Sequence, residues 1–272
     1  MLSLRQIFED NIRPAELLLK VYRLLEHDKP ATEGHIVQAM RKVVNASDDE
    51  SLMVIYNEIF LGLIRERAQV PHAAIRRNAL CSLLRQAIVI ACTGLETFLP
   101  ALLRSNLHEV IRVKGREFIP KDKELLGHLS GLKFELPDVL RVLASPDPIF
   151  IANKVVAYLN VNLSGRRGVH VVGVMLGIDD PWSRIAEELH RKTSDLSITL
   201  EDTISRRNDI VHRADRDKRN LEGDAQSITL PQSMQAVDTI KHVCLCLDEL
   251  VAVQIRGLQQ LAAEQTQPQG AA

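Results

Sequence analysis

The sequence predicts an all-α fold, a helical bundle with an additional N-terminal helical region, on three observations. Apolar residues recur at helical spacing over most of the 272 positions. One run, starting at Leu80, keeps that spacing for more than six turns. Several apolar runs open on residues that cap helices, such as Ser47 and Asp180.

Taken in chain order, Leu17, Leu18, Val21, Leu24 and Leu25 define a first helix up to about His27, with Pro14 dividing the segment. A short helix follows at about 32–44. Ser47 to Glu50 reads as a capping box, serine at the N-cap and glutamate at N3, with acid near the positive helix end. It opens a helix through Leu52, Ile55, Ile59 and Leu63 that stops near Gln69, ahead of Pro71.

From Leu80 the apolar positions are 80, 83, 84, 87, 88, 91, 95, 98, 99 and 102, and the other side carries Val89 and Cys92. A helix apolar on two sides belongs at the centre of a bundle. Glu96, one turn beyond Cys92, is then expected as a partly buried carboxylate, and Pro100 is expected to kink or break the helix.

Glycines and prolines punctuate 114–147, which reads as looser chain. A helix is expected at 150–163, a basic loop with Arg166 and Arg167 at 164–168, and a short strand or extended connector at 169–176. Asp180-Pro181-Trp182 starts a helix through Glu188, and Thr199 with Asp202 caps the next. The last helix spans about 231–260, with Met234, Val237, Ile240, Val243, Leu247, Leu250 and Val251 inward, before a tail expected to be disordered. The expected divisions are an N-terminal extension at 1–70, a helical domain at 71–262 and a tail at 263–272.

Composition narrows the function. Lys plus Arg is 34 and Asp plus Glu is 35, for a net charge of −1, which excludes a globally basic nucleic-acid coat and an acidic tail protein. An anionic ligand must therefore meet a local patch. Aromatics are 4 % with one Trp, too few for a stacking platform. No run of about 18 apolar residues is seen, and Glu9 and Asp10 interrupt any signal-peptide core, so neither a membrane span nor export is expected. Cys81, Cys92, Cys244 and Cys246 all lie in apolar helical patterns, which reads as reduced, buried thiols in a cytoplasmic protein. His242, Cys244 and Cys246 lack zinc spacing, because one residue between two thiols on a helix splays them apart. Phosphate-loop, dinucleotide, zinc-protease and serine-hydrolase motifs are absent from the sequence. No metal and no cofactor is called for.

The informative segment is 200–216. Leu200, Ile204 and Val211 define an apolar stripe, and Arg207 stands where the stripe needs an apolar residue. A guanidinium there costs several kcal/mol, roughly, unless it is paired or faces a wet cleft. Asn208 and His212, four apart, aim at one place. Asp209 and Arg213 form another such pair, expected as a solvated salt bridge. Arg206, Arg213 and Arg216 belong to a local excess of positive charge able to steer an RNA backbone, or simply to a solvated helix end.

Two readings of Arg207 stand at this point. In the structural one it pairs with Glu96. In the chemical one the cluster cleaves RNA by internal attack. Histidine is suited to take the 2′-hydroxyl proton, and arginine to stabilise charge on the phosphoryl oxygens. A second histidine for the leaving oxygen requires a two-fold dimer.

Arg207 to His212 resembles the Arg-x(4–6)-His signature of the HEPN superfamily, with Asn208 as the polar residue after the arginine. The context is similar to the RiboL-PSP-type branch: Gly94-Leu95-Glu96 closes an apolar stretch, Leu176-Gly177-Ile178-Asp179-Asp180-Pro181 precedes the motif helix, and Ile210-Val211-His212-Arg213 ends it. The similarity covers about residues 72–262. It implies a HEPN-type bundle, a homodimer with apposed motifs, and in many members a metal-independent endoribonuclease of toxin–antitoxin, antiphage or RNA-processing systems. By that resemblance Arg207 and His212 are catalytic, Asn208 assists, Glu96 orients Arg207, and an antitoxin or regulatory partner is implied. The alternative is a non-catalytic HEPN-fold module that binds nucleotides or proteins through the same cleft.

Overall fold

A computed structural model describes residues 2–26, 30–31, 54–55, 77–119, 121–159 and 163–266. The fold is all-α. Its described helices are α1 (Leu4–Glu26), α2 (Arg77–Lys114), α3 (Lys123–Leu129), α4 (Leu136–Ala144), α5 (Pro148–Leu159), α6 (Gly165–Met175), α7 (Pro181–Glu188), α8 (Thr193–Arg213) and α9 (Leu230–Thr266). A 3-10 turn, Gly115–Phe118, ends α2. Pro30–Ala31 and Val54–Ile55 form a two-residue antiparallel ladder, Pro30 opposite Ile55, where a helix through Ile55 was expected. The helix expected at 32–44, the capping box at Ser47 and the remainder of the helix running to Gln69 lie outside the described residues.

α2 is the centre. Leu84, Ala87, Ala91, Cys92, Leu95, Leu99, Leu102, Leu103 and Leu107 are fully buried on it, and α1, α5, α6, α8 and α9 pack around it. α2 is long and apolar enough to cross a membrane, contrary to the expectation from apolar runs. Its apolar sides are instead taken up by neighbouring helices.

Neither proline breaks its helix. α1 runs through Pro14 and α2 through Pro100. A proline inside a helix costs about 3 kcal/mol. Burial on both sides of each one, Ile12 and Ala15 in α1 and Leu99 and Leu102 in α2, outweighs that cost. α1 is itself part of the core through Phe8, Ile12, Ala15, Leu19 and Tyr22, and Phe8 meets Phe98 with ring centroids 4.9 Å apart. Arg5–Glu249 at 2.8 Å and Lys241–Glu16 at 2.5 Å tie α1 to α9.

The stretch 164–176 is a helix, not a loop and strand. Its glycines serve close packing: a Cβ on Gly173 would run into the Pro181 ring, and one on Gly168 would fall 2.8 Å from the Leu163 carbonyl carbon. α7 starts where expected, with Asp180 at its N-cap accepting from the Ser183 amide. α8 starts six residues before the expected cap. Thr199 and Asp202 lie inside it, and the Thr199 carbonyl accepts from the Thr203 hydroxyl. α5 begins two residues early and ends four early, and α9 reaches Thr266.

Candidate functional site

On α8 the buried positions are Leu196, Ser197, Leu200, Thr203 and Ile210, with Arg207 between the last two. The stripe therefore exists, but Ile210 ends it; Val211, assigned to it from sequence, is 50 % exposed. Arg207 interrupts an inward face as the sequence predicts.

Its charge is compensated across the helix interface. Arg207 Nη2 donates to Glu96 Oε2 at 2.7 Å, and Nη1 donates to Asn208 Oδ1 at 3.1 Å. Arg207 Nε is buried and bonds to nothing among the described residues. Both members of the ion pair are partly buried, so water screens it only in part. Cys92 sits one turn before Glu96 on α2. Burial pushes its thiol up to about 12, against the opposing pull of the Arg207 charge.

His212 lies on the exposed side of α8, and its ring makes no hydrogen bond among the described residues. With 3.6 residues per turn, Asn208 and His212 are about 40° apart around the helix, whereas Arg207 and His212 are about 140° apart. One copy of the chain thus presents an amide and an imidazole outward, and a guanidinium inward that touches the same amide.

The other arginines have separate tasks. Arg206 faces Asp215, with Nε 2.7 Å from Oδ1 and Nη2 2.8 Å from Oδ2. It also donates to Gln226 Oε1 and to the carbonyls of Gln226 and Ser227. Arg85 of α2 binds the same carboxylate at 2.6 Å and the Gln226 carbonyl at 2.8 Å. Asp215 is fully buried, and it and Ala214 have φ of 64° and 50°, in the left-handed region. The Asp215 amide donates to the Asp209 carbonyl, and its own carbonyl accepts from Gln226. This clamp fixes the chain three residues past His212. Arg206, expected to face RNA, is committed to it.

Arg213 pairs with Asp209 at 2.6 Å, as its spacing predicts, but the pair is partly buried where a solvated one was expected. Arg216 is exposed and donates from Nε to the Gly223 carbonyl at 3.0 Å. Arg166 and Arg167, expected in a loop, are exposed in the first turn of α6.

Sequence reasoning missed Asp215 and Arg85. A signal exists: an acid just past a helix C-terminus opposes the helix dipole and needs compensating cations. A cavity of about 330 Å³ opens beside the clamp between α2, α8 and α9, lined by Ile88, Asp202, Thr203, Arg206, Gln232 and Gln235. It lies on the opposite side of α8 from His212.

Cys92, Cys244 and Cys246 are buried free thiols, and Cys81 is half-buried. Burial raises the Cys244 thiol well above its usual value and Cys246 to about 11. Among the described residues no three His, Cys, Asp or Glu side chains converge as metal ligands.

No family profile matches the chain, and no similarity to a curated protein or a solved structure is found.

Proposed function

We propose that the protein is a HEPN-type endoribonuclease that cleaves RNA without a metal, working as a cytoplasmic homodimer. The observation that carries the reading is the Arg207–Asn208–His212 cluster, in which the guanidinium is held by Glu96 and by the Asn208 amide while the histidine stays open to solvent. In the proposed reaction an imidazole takes the 2′-hydroxyl proton and the 2′-oxygen attacks the adjacent phosphorus. The bond to the 5′-oxygen breaks, and a second imidazole returns a proton to the leaving oxygen. Arg207 supplies positive charge to the phosphoryl oxygens. The products carry a 2′,3′-cyclic phosphate and a 5′-hydroxyl.

One copy offers a single histidine in this setting, so the second imidazole has to come from another copy. A two-fold axis beside the exposed side of α8 brings a second Asn208–His212 face to the first. Four thiols, three of them buried and none in a disulfide, support the reducing compartment. An antitoxin or other regulatory partner remains part of the proposal through the family resemblance alone.

One feature favours a second reading, a HEPN-fold module that binds nucleotides or proteins without cleavage. Arg207 already has a carboxylate partner, so its pairing satisfies a structural role as well as a chemical one. End-group analysis decides between them. Cleavage of a mixed RNA in EDTA giving cyclic-phosphate and 5′-hydroxyl ends supports the nuclease. RNA retained intact by a folded dimer supports the module.

A further inference from the structure

Half of the large apolar side chains exposed on the described surface, eight of sixteen, fall within residues 119–149. Scattered exposed leucines need no explanation, but a contiguous patch does. The patch centres on α4, which is built inside out. Its inner face is Asp138, Arg141 and Val142. Asp138 binds Lys154 of α5 at 2.8 Å, and Arg141 binds Asp147 at 3.0 Å while lying 4.3 Å over the Phe150 ring. Its outer face is Leu136, Val139, Leu140 and Leu143, at spacings of three, one and three. Leu136 is 70 % exposed, Leu140 57 % and Leu143 75 %, and no residue of α4 is buried. Phe134, two residues before α4, and Ile149, in the first turn of α5, are exposed as well. Helices of soluble proteins turn such a stripe toward a core. Here ion pairs hold the helix down by its polar side, and among the described residues nothing buries the apolar side.

We propose that this face of α4 is covered by the same face of a second copy of the chain, the two helices running antiparallel across a two-fold axis. Charge and area argue for this occupant. Residues 119–149 hold four basic and five acidic residues. A rim of mixed sign is not the polybasic border that an anionic membrane attracts, and at a net charge of −1 it meets its own copy with little repulsion. The six apolar side chains expose on the order of 600 Å² together, so pairing two copies buries about 1,200 Å², the lower end for a specific interface. Antiparallel pairing sets Leu136 of one copy against Leu143 of the other, with Val139 and Leu140 at the axis. The inference does not rest on the nuclease reading. α4 lies over His108, Glu109 and Arg112, about 20 Å further along α2 than Glu96.

The test is sedimentation equilibrium of the full chain against the variant carrying Leu140→Asp and Leu143→Asp. Both sites are exposed, and circular dichroism checks that the variant stays helical. The proposal expects wild type to reach twice the mass of the variant and to lose that factor of two on dilution. This holds whatever state α8 sets, and Arg207→Ala and His212→Ala leave the factor in place. Equal masses for wild type and variant at every concentration overturn the proposal. So does binding of wild type, but not the variant, to vesicles of phosphatidylcholine and phosphatidylserine with no change in mass. Leu140→Cys locates the contact directly: mild oxidation is expected to give a disulfide-linked dimer that wild type does not form, and failure to cross-link contradicts the antiparallel arrangement.

Discussion

Arg207 on α8 and Glu96 on α2, 111 positions apart in the chain, form an ion pair at 2.7 Å where the motif helix crosses the central helix. Removing the Glu96 charge leaves a partly buried guanidinium held only by Asn208. Glu96→Gln is expected to cost about 1–2 kcal/mol, less than a fully buried pair because water reaches both partners. Urea unfolding of Glu96→Gln, Arg207→Ala and the double variant gives the coupling. A coupling near zero contradicts the pairing.

Asp215 is the more expensive residue to lose. Asp215→Ala leaves Arg85 and Arg206 facing each other without their shared carboxylate and releases a left-handed turn. The expected loss is about 3–5 kcal/mol. Thermal or urea denaturation reads it, and a loss within the range of an ordinary surface substitution, below about 0.5 kcal/mol, refutes the clamp.

Gly173→Ala tests the contact between α6 and α7. The added methyl meets the Pro181 ring, which is buried and cannot swing away. Overpacking of this kind costs about 1–3 kcal/mol. Ala at Gly127, where a Cβ has open space, serves as the control and is expected to be tolerated.

The hold of α4 on α5 depends on pH in a definite direction. The side-chain hydrogen bond from Lys154 holds the Asp138 carboxyl below the usual aspartate range. A carboxyl lowered in the folded state contributes stability that is present above its unfolded value and lost as pH falls through its folded one. Protection of the α4 amides against hydrogen exchange should therefore persist through the ordinary aspartate range and fall only below it. In Lys154→Met the fall should begin at higher pH. Identical onsets in the two proteins contradict the assignment.

The all-α class, the central place of α2 and the inward position of Arg207 were all legible in the sequence, because each rests on the helical period of apolar residues. Glu96 was legible for the same reason: it follows Cys92 by one turn on the second apolar side. What failed was reasoning from single residue types. Pro14 read as a division and Pro100 as a kink or break, Gly165 and Gly168 as loop and Gly173 as strand or connector, because propensity counts local cost while the bundle supplies burial and close contact from elements distant in sequence. Val211 was placed on the stripe instead of Ile210, since adjacent positions differ by only about 100° around a helix. Asp215 past the helix end carried a signal that it needs cations, but its partner Arg85, 130 positions away, was not legible.

The most direct measurement of the central claim is the rate of RNA cleavage in EDTA by wild type, Arg207→Ala and His212→Ala, each folded and equal in mass. The account predicts cleavage by wild type and a loss of roughly 10²-fold or more in each variant, the scale of one acid–base or charge-stabilising group. Equal cleavage by all three, or none by wild type, would contradict it.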